Sequence, residues 1–189
     1  MGRQAPDAEI IALEPNPVTY ELLTANIKLN WLTPRCRALR KGASDKPETL
    51  RMAYQTTHLV NAQIVDADRH VAFHNDCQAE FTTIDELTEP YGYKCDFIKT
   101  DTEGYEPKVL AGMQRTLDHS PNLSIMMEWS PEQIKQVGVS VSAFCTDLAD
   151  RRFRLHVIGD LGALSEVPIS DLASLPYQNI VLQQHNHVL

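Results

Sequence analysis

Three carboxylate positions in this 189-residue chain stand at the ends of short apolar runs. Glu14 closes Glu9-Ile10-Ile11-Ala12-Leu13. Asp101 and Glu103, followed by Gly104, come directly after Cys95 to Thr100. Glu128 sits late in Leu123 to Trp129. A carboxylate ending a strand of a nucleotide-binding unit accepts both hydroxyls of a ribose. The same group just before a helix is equally well read as a solvated acid stabilised by the helix dipole. Two carboxylates two residues apart after a strand point into one mouth. There they orient a substrate hydroxyl, serve as a base, hold a divalent ion or cap the next helix. A carboxylate inside an apolar strand needs an ion pair or a place at the sheet's mouth, because burial of an unpaired charge is costly. His70 and His74 crowd together with Asp66, Asp68 and Asp76. No helical period surrounds them, so a solvated polar loop is the better reading than a metal set.

The elements around these residues follow from periodicity and punctuation. Residues 8–14 read as a strand buried on both faces. Asn16 and Pro17 are a helix N-cap and a first-turn proline. Val18, Leu22, Ala25 and Leu29 then predict a helix over 17–30. Short strands are expected at 35–40 and 49–54, with a turn-rich break from Gly42 to Pro47. Residues 55–80 have no clean period and read as a long loop or irregular hairpin, a natural substrate lid. Thr83 to Leu87 is a capped helical turn. A buried strand over 95–100 precedes a single helix over 105–118, with Pro107 confined to its first turn. After the strand 123–129, Ser130-Pro131-Glu132-Gln133 reads as a capping box. A helix follows over 141–150, then strands at Phe153 to Val157 and Asn179 to Gln184. Strands alternating with helices imply an α/β domain with a mostly parallel sheet, and the last two strands imply an antiparallel edge hairpin. Ligands of such sheets sit beyond the strands' carboxyl ends, so Glu14, Asp101, Glu103 and Glu128 are expected to open toward one cleft.

Composition narrows the function. The formal charge is −8 and the pI near 5.3, which argues against a nucleic-acid surface. No apolar run approaches the roughly 18 residues of a membrane span. Apolar content of 43% and charged content of 22% are those of a globular domain. Cys36, Cys77, Cys95 and Cys145 form no CxxC pair, and the expectation is reduced cysteines in a cytoplasmic protein.

Five segments in order resemble the FkbM-like methyltransferases. Ile11-Ala12-Leu13-Glu14-Pro15-Asn16-Pro17, with Leu22 and Asn26, is similar to their "FEPNP…L…N". Gly42-Ala43-Ser44-Asp45 is similar to "ALSD", and Thr83 to Leu87 to "TLDEL". Phe97 to Glu106 resembles "IKIDVEGxE", with Val109-Leu110-Ala111-Gly112 as the "VLxG" that follows. Met126-Met127-Glu128 resembles "LLE". The resemblance implies a Rossmann-like class I methyltransferase fold with S-adenosylmethionine as cofactor. It also implies methyl transfer to a small-molecule acceptor, a hydroxyl of a sugar or secondary metabolite. On it, Glu14, Pro15 and Asn16 would bind the cofactor, with Glu14 on the ribose. Ala43, Ser44 and Asp45 would flank the adenine, Asp101 and Glu103 would lie beside the transferring methyl with Asp101 also binding the cofactor, and Glu128 would be a further catalytic residue. No metal is implied. The family begins with a strand and a loop of the type "DVGANxGxxT", whereas here Met1 to Ala8 carry one glycine. Residues 1–189 are therefore expected to form one incomplete domain lacking the first strand and glycine-rich loop. The chain alone is expected to bind cofactor weakly or not at all, with open sheet edges that favour association. The alternative is a non-catalytic remnant or interaction module.

Overall fold

In the computed structural model, residues 5–54, 63–64 and 75–184 are described, and they fall in two compact units, 1–82 and 83–189. Each unit is taken by itself.

In the first unit, β1 (Ile10–Leu13) runs parallel to β2 (Cys36–Leu39), in register from Ile10 opposite Cys36 to Leu13 opposite Leu39. The crossover is α1 (Pro17–Leu29). Its start follows from Asn16, whose extended backbone (φ −72°, ψ 123°) lets Oδ1 accept from the Val18 amide at 3.0 Å. Proline at the first position gives up no hydrogen bond there. β1 and β2 are the two strands of their sheet, and β1 is half-buried along its length rather than covered on both faces.

The second sheet of this unit contains β3 (Gly42–Ala43), β4 (Glu48–Tyr54), β5 (Gln63–Ile64) and β6 (Asn75–Thr82), in the order β3-β6-β4-β5. β4 and β6 are antiparallel from Glu48 opposite Phe81 to Tyr54 opposite Asn75. The hairpin reading of 55–80 therefore holds at its C-terminal end, and the loop reading fails there. Cys77, Ala79 and Phe81 alternate onto one face and pack with Leu50 and Met52. Gly42 lies against the Phe81 ring, which occupies the place a Cβ would take. Asp76 pairs with Arg51 at 2.6 Å. Asp66, Asp68, His70 and His74, and the lid expected there, lie outside the described residues.

In the second unit, a five-stranded sheet has the order β10-β9-β11-β8-β7. Its strands are β7 (Phe97–Thr100), β8 (Ser124–Trp129), β9 (Phe153–Ile158), β10 (Leu164–Val167) and β11 (Gln178–Gln184). β7 and β8 are parallel, and the other three pairings are antiparallel. Across the described residues three of eight strand pairings are parallel, so the sheets are mixed and the mostly parallel expectation is corrected. The last strand is also not at the edge. β11 inserts between β8 and β9, and the edge hairpin is β9 with β10. The apolar run Ile180 to Leu182 fits that interior place, where Ile180 and Leu182 are fully buried. β7 is more open than expected, with Phe97 40% exposed, because among the described residues it has one neighbouring strand.

The helices are α2 (Ile84–Thr88), α3 (Glu106–Ala111), α4 (Gln114–His119), α5 (Pro131–Gln136) and α6 (Val141–Asp150). The single helix expected over 105–118 is broken at Gly112 and Met113. Glycine is a weak helix former, and a capping acid arrives there from elsewhere in the chain. Asp85 accepts from the amides of Arg115 (3.0 Å) and Thr116 (2.8 Å) and from Thr116 Oγ1 (2.7 Å), which starts a new helix. Thr83 in turn caps α2 through the Glu86 amide at 3.0 Å. Among the described residues no helix is long and apolar enough to cross a membrane. The four cysteines are free.

Asp85 thus serves three donors in a partly buried place. Asp85→Ala is expected to destabilise the fold by about 2 kcal/mol, with Asp85→Asn recovering part of the loss. Denaturant unfolding of the three proteins measures this. Equal midpoints for wild type and Asp85→Ala would remove the cap from the account.

Candidate active site

The parallel register of β7 and β8 sets Thr100 opposite Met127, so the chain leaves β7 at Asp101 beside Glu128. The exit is a tight turn. Glu103 has φ 54° and Gly104 φ 96°, both left-handed. Such a backbone suits glycine and costs an L residue about 1 kcal/mol or more. Glu106 offsets that cost. It is 1% exposed, and its Oε1 accepts from the Thr102 amide (2.7 Å) and from Thr102 Oγ1 (2.9 Å), across the turn. Its Oε2 is buried with no partner among the described residues.

A second brace comes from α5. The Gln133 side-chain amide donates to Glu103 Oε2. A Cβ on Gly104 would stand 2.5 Å from the Gln133 carbonyl oxygen, so glycine is required by contact as well as by φ. This corrects the capping-box reading of 130–133. Ser130 makes no side-chain cap, and Gln133 reaches a carboxylate in the neighbouring turn instead of its own helix start. The Ser130 backbone (φ −136°, ψ 89°) is where that cap is missing.

The structure thus gathers Asp101, Glu103 and Glu128, and it adds residues the sequence had not singled out. Lys99 pairs with Asp101 at 2.7 Å, with both side chains exposed. Tyr177, on the loop before β11, donates its phenol hydrogen to Glu128 Oε1. Glu106 stands within the matched signature, a signal that could have found it. Gln133 and Tyr177 are about 30 and 50 residues away from their carboxylates, and neither carries a local signal.

Electrostatics follow from the crowding. Burial raises the Glu103 carboxyl, and the charges of Glu128, Asp101 and Glu106 raise it further, while the Gln133 bond opposes them. Burial likewise raises Glu106, against the hydrogen bonds of Thr102. The bond to Glu128 pushes the Tyr177 phenol up to about 12, with the nearby charges of Asp101 and Glu103 adding to it. Among the described residues, no three His, Cys, Asp or Glu side chains meet as metal ligands.

Glu14 belongs to the first unit. It follows β1 directly, and its Oε1 accepts from the Asn16 amide at 2.8 Å. Burial raises its carboxyl, and the Asn16 bond opposes that shift. Asn16 is itself buried, with its Nδ2 unpaired among the described residues. Ala43 and Ser44 are buried too. The Ser44 hydroxyl is engaged with Asp45 (3.0 Å) and Glu48 (2.9 Å), and its amide donates to the Thr82 carbonyl at 2.9 Å.

Two outcomes follow. Glu106 and Glu103 sit above the ordinary 4.5 of a glutamate. A carboxyl raised on folding stabilises the fold below its unfolded value, and that stability is lost as pH rises through the folded value. Glu106→Gln keeps an oxygen for Thr102 and removes one such group. The fall in melting temperature between about pH 5 and about pH 7.5 is expected to be smaller in the variant than in wild type. An unchanged fall would show that Glu106 is ionised as easily in the fold as outside it. Separately, Gly104→Ala is expected to cost about 2 kcal/mol or more by denaturant unfolding. A neutral result would mean that α5 yields freely.

Comparison with known proteins places the chain. The pattern of the methyltransferase FkbM domain matches residues 3–155. The methyltransferase sdnD of Sordaria araneosa is 24% identical over 162 residues, covering 71% of this chain and 62% of that protein. This chain therefore spans under two thirds of that relative's length. In fold, the chain is similar to the crystal structure of methyltransferase FkbM from Methylobacillus flagellatus KT. The TM-score is 0.50 at 14% identity, over 93% of this chain and 36% of that one. With its acidic turn after β7, its glutamate at the end of β8 and a family match over most of its length, the chain belongs to the methyltransferase FkbM domain family.

Proposed function

We propose that the chain carries the catalytic part of an S-adenosylmethionine-dependent methyltransferase acting on a hydroxyl of a small molecule, in the class of sugars and secondary metabolites. The observation that carries this reading is the convergence of Asp101, Glu103 and Glu128 at the carboxyl ends of the parallel pair β7 and β8. That is where ligands of such strands bind.

The residues present fit the cofactor in one respect that can be tested on the chain. Glu14 is a part-buried carboxylate that uses one oxygen on the Asn16 amide and forms no ion pair among the described residues. A neutral pair of donors such as a ribose diol suits the oxygen that remains. Ser44 offers less, since its hydroxyl is already engaged, and a contact to the adenine there would come from backbone. The cofactor supplies an electrophilic methyl group on a positively charged sulfur. The chain's part is alignment of the acceptor oxygen, which accounts for most of the rate in such transfers. Glu128, Glu103 and Asp101 surround the acceptor oxygen in this reading. The one that the acceptor meets would take its proton, while the cofactor would give up its methyl group to the acceptor oxygen and its sulfur would keep the electron pair of the bond that breaks.

The test is a titration of the protein with cofactor carrying a 13C-labelled methyl group, read by NMR so that weak binding is visible. Saturable broadening or shift of the methyl signal is expected, with Glu14→Gln weakening binding about tenfold or more. A methyl signal untouched at millimolar cofactor overturns the reading.

A further inference from the structure

Tyr177 is the large aromatic side chain exposed beside the acidic turn, at 66% accessibility. Its place is fixed from both sides. The Trp129 indole donates to the Leu175 carbonyl at 3.3 Å, and Gln178 enters the β11–β8 ladder opposite Trp129. Trp129 is itself fully buried and stacks on Phe144 at 6.3 Å between ring centroids. Pro176, between the two anchors, restricts the backbone further. The exposed ring is therefore held on a rigid base and is not a frayed loop tip.

The phenol spends its hydrogen on Glu128 Oε1. With the hydroxyl pushed up to about 12, it stays a donor to that carboxylate at neutral pH. Its oxygen lone pair is then free to accept. Glu128 is 8% exposed and uses only Oε1 on a partner among the described residues. Its Oε2 is not among the sealed, unpaired oxygens. Two hydrogen-bond acceptors, the phenol oxygen and the carboxylate, thus stand one hydrogen bond apart at the mouth. An acceptor with a single hydroxyl satisfies one of them. Two hydroxyls on adjacent carbons have a spacing that satisfies both.

We propose that Tyr177 is a specificity-determining residue that, with Glu128, selects acceptors bearing two hydroxyls on adjacent carbons, one donating to Glu128 and its neighbour to the phenol oxygen. This rests on the methyl-transfer reading for its reaction. The ring of Tyr177 offers the acceptor's carbon framework an apolar face, and the two oxygens set which hydroxyl is presented.

Catechol and hydroquinone are the probes, because they carry the same two hydroxyls on the same ring, adjacent in one and opposite in the other. Dissociation constants are measured by ligand-observed NMR under nitrogen, on wild type and on Tyr177→Phe. The variant keeps the ring and removes only the oxygen. Wild type is expected to bind catechol about fivefold more tightly than hydroquinone, the worth of one added hydrogen bond, and Tyr177→Phe to bind both within about twofold. A merely structural role would weaken both probes alike. Equal binding of the two by wild type, discrimination that survives in Tyr177→Phe, or binding of neither probe overturns the proposal. Titration of the same samples with S-adenosylmethionine separates the two readings. Cofactor binding without discrimination sinks only the selection of adjacent hydroxyls, and discrimination without cofactor binding sinks the methyl-transfer reading.

Discussion

One buried carboxylate oxygen holds the site in shape. Glu106 Oε1 collects both donors of Thr102, its amide and its hydroxyl, from the other side of the turn that follows β7. The turn needs such a clasp because two consecutive residues are left-handed and only one of them is glycine. Hydrogen bonds to a charged or strongly polar acceptor in a buried place are among the stronger single interactions a fold has. Two of them on one oxygen balance the strain at Glu103. Since α3 begins at Glu106 itself, the clasp also ties the strand's exit to the start of the helix.

Around that turn, each acid is held by a donor from a different part of the unit. Asp101 has Lys99 from β7, Glu103 has Gln133 from α5, Glu106 has Thr102 from the turn, and Glu128 has Tyr177 from the loop before β11. Unpartnered carboxylates at this density would repel and reorient. With one partner residue each, every acid is oriented, and Glu128 is left with an oxygen to offer. The surface pair of Lys99 with Asp101 contributes little to stability because both partners are exposed. Its effect is on geometry and local charge. Burial and the charge of neighbouring acids keep Glu103 and Glu106 easier to protonate than ordinary glutamates.

The family resemblance also has a mechanical basis. The segment Thr83 to Leu87 resembles "TLDEL", and its aspartate is the cap of α4, some 30 residues further on. The acid decides where the helix after the acidic turn breaks and restarts. In the first unit the pair Glu14 and Asn16 works on a similar economy. Asn16 caps α1 with its side chain and, through its amide, fixes one oxygen of Glu14. One short stretch therefore ends a strand, begins a helix and orients a carboxylate.

Much of this was legible in the chain alone. Capping residues and a first-turn proline marked α1 and α2, apolar spacing marked α6, and apolar runs or alternation marked β1, β7, β8, β9 and β11, because those signals act within a few residues. The acidic positions Glu14, Asp101, Glu103 and Glu128 were legible for the same reason, each standing at the end of such a run. β6 was legible only as part of a loop or irregular hairpin, because its buried face begins with the small side chains Cys77 and Ala79 and becomes a strand only against β4. The mixed sheet was missed because strand direction is set by which neighbour a strand finds. β11 finds both β8 and β9, and no local pattern records that choice. The distant partners of the acids, Gln133 and Tyr177, were invisible on the same ground. A run of five or six residues determines its own conformation and where its carboxylate emerges. Which amide or phenol meets that carboxylate is decided only when residues 30 to 50 positions apart are packed side by side.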